Sequence, residues 1–108
     1  MGFQTNYEFW PAFYAALEPV QTLQSEIVNQ CRLGLVQNID NIIPLYDQFK
    51  NKVKDVSNWI DSNTEQMYSD AQTNYELRAA CQQMLDEVVR EAFTTIRDAQ
   101  LSFEGVAV

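Results

Sequence analysis

Apolar residues recur every three or four positions along most of this chain, the spacing that places them on one face of an α-helix. No run of alternating apolar and polar residues is long enough to predict a β-strand. Only three glycines and three prolines interrupt the pattern. The sequence therefore predicts an all-α protein, and its 108 residues predict a single domain over 1–108 with one core.

Proline marks the boundaries of the first two predicted helices. The first covers about residues 5–18, in which Pro11 is expected to be tolerated only in the first turn, and ends at Glu18 because the residue before a proline avoids the α region. The second begins at about Pro19, and Gly34 is either its C-terminal cap or a weak point within a longer helix. Its apolar stripe contains Val20, Leu23, Ile27, Cys31 and Leu35.

Two further segments continue the helical pattern. Pro44 interrupts the second stripe and suits the first turn of a third helix over about 44–60. Ser62 and Glu65 have the spacing of a capping box, and the pattern then continues over about 63–103. Because forty helical residues would extend about 60 Å, we expect this helix to be bent or broken, or else the molecule to be elongated.

Two cysteines, Cys31 and Cys81, are compatible with one disulfide or with two buried thiols. A disulfide would close a loop of about 50 residues and stabilise the fold by about 4 kcal/mol on the chain-entropy model. In one long antiparallel hairpin the two residues would lie about 16 Å apart along the axis, whereas bridged Cα atoms lie within about 7 Å. The bridge and the uninterrupted hairpin are alternatives. We expect the bridge, in a compact bundle of four or five helices.

The charge and composition exclude several partners. A net charge of −8 argues against nucleic acid and against an anionic membrane surface, since both need clustered cations. No apolar stretch approaches the length of about 18 residues that a membrane span needs. The eleven Gln, eight Asn and the cysteine pair favour a secreted protein, whose signal peptide would have been removed before this chain begins.

The residues of most catalytic sites are missing. Because the chain has no histidine, Ser-His-Asp and Cys-His nucleophiles are excluded, and two cysteines alone make a poor zinc site. All three glycines are isolated, so there is no phosphate-binding loop. Asp86, Glu87 and Glu91 surround Arg90, which is typical of a solvated helix face. We expect no enzyme activity, no metal and no cofactor.

An aromatic cluster near the N-terminus is the candidate binding surface. It contains five side chains within eight positions: Tyr7, Phe9, Trp10, Phe13 and Tyr14. On a 3.6-residue period Tyr7, Trp10, Tyr14 and Leu17 share a face, while Phe9 and Phe13 turn aside from it. The cluster either fills a groove between two other helices or leaves some rings exposed to bind a protein. A third hypothesis places these rings and the Ile39–Ile43 cluster around a pocket for a lipid or another small apolar ligand.

The segments "FQTNYEFWPAFY", "NQCRLG" and "RAACQQM", set in acidic helices rich in Asn and Gln, resemble small secreted all-helical salivary proteins of anopheline mosquitoes, the family that includes anophensin and albicin. The resemblance implies a host-directed inhibitor of complement or contact-activation proteases that acts by binding. It also implies that the cysteine pair is a structural bridge.

The leading hypothesis is therefore a secreted, non-enzymatic helical protein that inhibits or sequesters a host protein through a broad surface. The first alternative is a carrier of a lipid or other apolar small molecule in a closed cavity. The second alternative is an intracellular helical interaction or oligomerisation module, which requires both cysteines to be reduced.

Overall fold

The computed structural model describes residues 6–65 and 67–107, with the side chains of 7–65 and 67–100. This part of the chain contains helices and turns and no strand, so the all-α prediction is confirmed. Within it there are three helices rather than four or five: α1 (Asn6–Leu33), α2 (Ile39–Thr64) and α3 (Ala71–Ala107). The helices are fewer and longer than predicted because the expected breaks do not occur.

The three helices run up, down and up along one axis. Phe9 of α1 packs on Trp59 near the end of α2, with ring centroids 5.6 Å apart. Tyr46 near the start of α2 packs on Phe93 of α3, with centroids 5.9 Å apart. Short connections over 34–38 and 65–70 join the helices. Each helix is therefore antiparallel to the next, and α1 and α3 are parallel.

One apolar core extends along the bundle between the three helices. The periodic positions that predicted the helices supply most of it, because the face that repeats at three and four residues is the face that packs. The buried apolar side chains are Phe9, Phe13, Leu17, Val20, Ile27, Cys31, Ile42, Phe49, Val56, Ile60, Met67, Cys81, Leu85 and Ala92.

The molecule is elongated rather than compact. Its principal extents are 58 × 21 × 18 Å and its radius of gyration is 17.0 Å, whereas a compact domain of this length has a radius of gyration of about 13 Å. The 37 residues of α3 account for the long dimension, since at 1.5 Å per residue they extend about 55 Å. Of the two outcomes predicted for the long C-terminal pattern, the elongated molecule is confirmed.

Proline does not end any of the described helices. Pro19 lies inside α1 and Pro44 inside α2, so the predicted breaks at these two positions are wrong. Pro11 also lies inside α1, beyond the first turn to which its tolerance was predicted to be limited. An interior proline costs about 3 kcal/mol, but Leu17 and Val20 beside Pro19 are both buried and contribute about 1.5–3 kcal/mol each. The proline rings are exposed, so the backbone carbonyls that lose a partner lie on the side that water can reach.

Gly34 forms the C-terminal cap of α1, one of its two predicted roles. Its φ of 129° lies in a region that residues with a Cβ rarely adopt. Its N–H donates to the carbonyl of Cys31 at 3.2 Å, and its own carbonyl accepts from the side chain of Asn38 at 2.8 Å. These bonds close the turn between α1 and α2.

The predicted capping box at Ser62 is wrong, because α2 continues to Thr64 and α3 begins after Asp70. The carboxylate of Asp70 accepts from the backbone N–H of Thr73 at 3.2 Å and from its hydroxyl at 2.6 Å. These hydrogen bonds, with one from the Gln72 N–H, hold the pKa of Asp70 below its ordinary value. Asp70 is therefore the residue that caps α3.

Asn74 holds the connection between α2 and α3 in place. Its side-chain oxygen accepts from the N–H of Tyr68 at 2.7 Å, and its side-chain nitrogen donates to the carbonyls of Tyr68 at 2.8 Å and Glu65 at 3.2 Å. This is one buried amide that satisfies three backbone groups, and it explains why a polar side chain is buried at this position.

The predicted disulfide is also wrong, because Cys31 and Cys81 are both buried free thiols. Cys31 lines a small cavity with Thr95 and Ala99. Thr95 lies fourteen residues after Cys81 in the continuous helix α3, which is about 21 Å along the axis. Bridged cysteines need Cα atoms within about 7 Å. The uninterrupted helices thus keep the two thiols apart, as the alternative to the bridge required.

Candidate functional site

An open apolar groove of about 580 Å³ lies where the first half of α2 meets the second half of α3. The turn between α1 and α2 closes one side of it. The groove is lined by Leu35, Val36, Ile39, Ile42, Ile43, Tyr46, Phe93, Ile96 and Gln100. Eight of these nine side chains are apolar or aromatic, so the groove presents a hydrophobic surface to solvent.

The spacing of the lining residues explains the length of the groove. Ile39, Ile43 and Tyr46 recur at four and three residues on α2, and Phe93, Ile96 and Gln100 recur at three and four on α3. Seven residues of helix extend about 10 Å. Each helix therefore contributes about two turns to the groove.

The groove leaves large apolar side chains half exposed. Ile43 is 53% exposed, Phe93 48% and Val36 48%. The neighbouring Ile42 is 3% exposed and belongs to the core. Single exposed apolar residues are ordinary on a protein surface, but a contiguous group of them marks a binding site.

Tyr46 and Phe93 form the inner end of the groove. Their rings are tilted at 56° with centroids 5.9 Å apart. The ammonium of Lys50 lies 5.1 Å from the centroid of the Tyr46 ring and 3.5 Å from Asp47. The aromatic pair joins α2 to α3, and the lysine adds a cation–π contact at its edge.

A second surface cavity shares Phe93 with the groove. It is lined by Asp86, Val89, Arg90, Phe93, Thr94 and Arg97. Two of the four arginines of an otherwise acidic chain, Arg90 and Arg97, therefore lie on the side of Phe93 that faces away from the groove. The guanidinium of Arg97 is 3.6 Å from the carboxylate of Asp98, and both side chains are more than half exposed.

The predicted aromatic surface is only partly at the surface. Phe9 and Phe13 are fully buried, with parallel rings 6.3 Å apart that pack on Trp59. These two residues belong to the core and cannot be part of a binding surface. They follow the same four-residue step as the buried Leu17, and this step defines the face of α1 that packs.

The other three aromatic residues of this cluster remain accessible. Tyr7 is 93% exposed and Tyr14 52%, while Trp10 is partly buried with its ring centroid 6.0 Å from that of Tyr14. Three residues of the predicted shared face therefore lie toward the outside, but its fourth member, Leu17, is buried with Phe9 and Phe13, so the predicted face is wrong for Leu17. The two tyrosine hydroxyls keep their contact with water.

The aromatic cluster and the Ile39–Ile43 cluster do not form a common pocket. The Phe13 ring packs on Trp59, which lies sixteen residues after Ile43 in α2, or about 24 Å along the helix. The hypothesis that both clusters line one internal cavity is wrong. The isoleucines contribute instead to the open groove at the other end of the bundle.

Sequence reasoning missed Phe93 as a site residue. The predicted stripe of α3 passes through Val88, Ala92 and Ile96, and Phe93 lies one position beside it. The stripe residue at this point is the small Ala92, and a large apolar residue follows it directly. This is the signal that could have indicated a second apolar face. Ile43, which lines the same groove, likewise lies directly beside a core residue, the buried Ile42.

Other candidate chemistry gives no site in the described part of the chain. Asp86, Glu87 and Glu91 are exposed on α3, as the interpretation of a solvated face predicts. Within residues 7–65 and 67–100, no three histidine, cysteine, aspartate or glutamate side chains lie close enough to hold a metal ion. None of the described helices is both long and apolar enough to cross a membrane.

No family model, curated protein or solved structure matches this chain. The resemblance to anopheline salivary proteins therefore stays a prediction from the sequence.

Proposed function

We propose that this chain is a non-enzymatic protein that binds another protein through the apolar groove between α2 and α3. The observation that carries the proposal is the pair Ile43 and Phe93, two large apolar side chains that are half exposed in one contiguous concave surface. An amphipathic helix places apolar residues at i, i+3, i+4 and i+7. These positions on a partner helix cover about two turns, the same length that α2 and α3 each contribute to the groove.

The energy available from the groove is sufficient for a specific contact. Complete burial of a large apolar side chain stabilises by about 1.5–3 kcal/mol. Covering the exposed half of Val36, Ile39, Ile43 and Phe93 therefore contributes about 1 kcal/mol for each residue. Association costs free energy because the two molecules lose translational and rotational freedom. The groove is therefore suited to a partner that makes further contacts at its edges.

The proposal keeps two predictions from the sequence. The resemblance to salivary proteins would make the partner a host protein of complement or contact activation, which the chain would inhibit after secretion. The two unpaired thiols support the other alternative, a helical interaction module in a reducing compartment. The groove serves either setting, because its chemistry depends on apolar contact and not on the compartment.

The groove supports a protein partner better than a lipid. A carrier was predicted to hold its ligand in a closed apolar cavity, whereas Val36, Ile43 and Phe93 in this groove are about half exposed to solvent. An acyl chain in such a groove would leave much of its own surface in water. A folded partner covers both the groove and the polar surface around it.

Selection of peptides from a displayed helical library tests the proposal. The immobilised wild-type protein is the bait, and a variant that carries Ile43→Gln and Phe93→Gln is used for counter-selection. The matched control is Tyr75→Gln, since Tyr75 is 60% exposed but lies outside the groove. We expect amphipathic helical sequences that bind the wild type and the Tyr75 variant, and bind the groove variant at least tenfold more weakly.

Two results would contradict the proposal. Selected peptides that bind the groove variant as well as the wild type would place the binding surface elsewhere. A fatty acid or other apolar molecule in the organic extract of the purified wild type, absent from the groove variant, would favour the carrier.

A further inference from the structure

The two edges of the groove carry opposite charges in the same sequence arrangement. On α2, Ile43 is preceded by Asp40 at three residues and followed by Asp47 at four. On α3, Phe93 is preceded by Arg90 at three residues and followed by Arg97 at four. Residues three and four apart are neighbours on a helix surface, so each apolar side chain lies between two like charges.

All four charged side chains are exposed. Asp47 is 3.5 Å from Lys50, and Arg97 is 3.6 Å from Asp98. Exposed ion pairs of this kind contribute only about 0.2–1 kcal/mol, so both side chains are free to exchange partners. Arg90 has no ion pair within the described residues. Beside Ile43 and Phe93 the groove therefore has an acidic edge on α2 and a basic edge on α3, while Lys50 on α2 and Asp86 on α3 lie one helical turn further along.

The register of α2 on α3 places these charges at matching positions along the long axis of the bundle. We call such a position the height of a residue. Tyr46 contacts Phe93 and Ser57 contacts Gln82, so eleven residues forward along α2 correspond to eleven residues back along α3. On this register Asp40 lies about two residues, or about 3 Å, from the height of Arg97. Asp47 lies equally close to the height of Arg90.

We propose that the partner of the groove is a second copy of this chain, in a symmetric dimer whose two-fold axis is parallel to the helices. Such an axis keeps every residue at its own height and places α2 of one copy opposite α3 of the other. Asp40 and Asp47 of one copy then meet Arg97 and Arg90 of the second, twice over. The two grooves cover each other, with Ile43 against Phe93.

The other two-fold arrangement is disfavoured by the same charges. An axis perpendicular to the helices would place α2 opposite α2, with carboxylates facing carboxylates, and α3 opposite α3, with guanidiniums facing guanidiniums. Like charges in contact are destabilising. The charge pattern therefore selects one orientation as well as one partner.

This inference rests on the proposed function and names its partner. A different protein that uses the groove would have to displace the second copy. The dimer is expected to be weak, because each monomer has a net charge of −8 and the two repel at long range.

Sedimentation velocity of four forms of the full chain tests the dimer. The wild type is expected to dimerise between about 10 and 500 μM. The double variant Asp40→Lys with Asp47→Lys makes both edges basic, and Arg90→Glu with Arg97→Glu makes both acidic, so each alone should raise the dimer dissociation constant at least tenfold. The quadruple variant exchanges the edges, keeps the net charge of −8, and should dimerise like the wild type.

A mixture of the two double variants is the most specific measurement. Each double variant has the same sign of charge on both edges of its groove. The basic variant complements the acidic variant at both edges, so a heterodimer should form at concentrations where neither variant dimerises alone. Far-UV circular dichroism of each variant shows whether it is folded, and the mixture remains informative because only folded copies can pair.

Three outcomes would overturn the inference. They are a monomeric wild type at 500 μM, double variants that dimerise as well as the wild type, and a mixture of folded variants that stays monomeric. If the wild type is monomeric while the peptide selection still yields groove-dependent binders, the proposed function stands and only the second copy is rejected. Loss of both results rejects the groove itself.

Discussion

Neighbouring aromatic residues in α1 have opposite environments. Phe13 is fully buried whereas Tyr14, the next residue, is 52% exposed. One residue along a helix turns by about 100°, so two neighbours cannot both face the same core. The residue with a hydroxyl lies on the outer side, where water satisfies its hydrogen bonds.

Replacing Phe13 by alanine is expected to reduce the free energy of unfolding by about 3–5 kcal/mol, since it removes a ring that packs on Phe9 and Trp59 and leaves a cavity. Urea unfolding measures the change. The control is Tyr7→Ala, which removes a ring that is 93% exposed and should change stability by no more than about 0.5 kcal/mol. Equal effects of the two substitutions would contradict the assignment of Phe13 to the core.

The beginning of α3 depends on a single carboxylate. Asp70 accepts hydrogen bonds from the side chain and the backbone of Thr73 and from the backbone of Gln72. In the charged form it satisfies N–H groups that have no partner within the helix and interacts favourably with the helix dipole. The helix starts here because this carboxylate accepts hydrogen bonds from the amides of Gln72 and Thr73 in its first turn.

Stability should therefore depend on pH through Asp70. Its pKa is lower in the folded protein than the ordinary value of 3.8, so its contribution is present above pH 3.8 and is lost as the pH falls through the folded pKa. Thermal unfolding of wild type and Asp70→Ala should differ at pH 7, and the difference should shrink as the pH is lowered below 3.8.

Asp70→Asn is the matched control for this measurement. Asparagine caps a helix about as well as aspartate but does not titrate. We expect its stability at pH 7 to lie between those of the wild type and the alanine variant, without the same loss at low pH. A difference between wild type and Asp70→Ala that stays constant from pH 7 to pH 2.5 would refute the role of the charge.

On the scale of the whole molecule, the long helices determine the state of the cysteines. Burial raises the pKa of the Cys81 thiol to about 11 and also raises that of Cys31. At neutral pH the Cys81 side chain is therefore almost entirely the unreactive thiol. Both thiols are therefore expected to react slowly in the folded protein.

Intact mass after alkylation checks this arrangement. Without any reductant, the unfolded protein should take up two alkyl groups, because Cys31 and Cys81 are not bridged. The folded protein at pH 7 should take up none in the time that the unfolded protein needs to react fully. Alkylation that occurs only after reduction would show a disulfide, and with it a different arrangement of the helices.

Part of the candidate site was visible in the sequence. The Ile39–Ile43 cluster was predicted to line an internal lipid pocket with the aromatic cluster, and its isoleucines line an open groove instead. Phe93 was not identified, because it lies fifty residues from Ile43 in the sequence and shares no local pattern with it. Asp70 was missed for a different reason. Ser62 offers the same capping signal eight residues earlier, but the buried Thr64 belongs to α2, which therefore extends beyond Ser62.

The sequence by itself determined the helical class and most of the buried positions of α2 and α3, and it offered the cap as one of two roles for Gly34. These features depend on spacing within one helix or on the backbone freedom of one residue, and both can be read locally. Only the tertiary structure decided that prolines stay within helices, that the cysteines lie far apart, that Phe9 and Phe13 are buried, and that Ile43 and Phe93 line one groove. Each of these depends on the balance of contacts between segments that are distant in the chain, and a local pattern does not contain that balance.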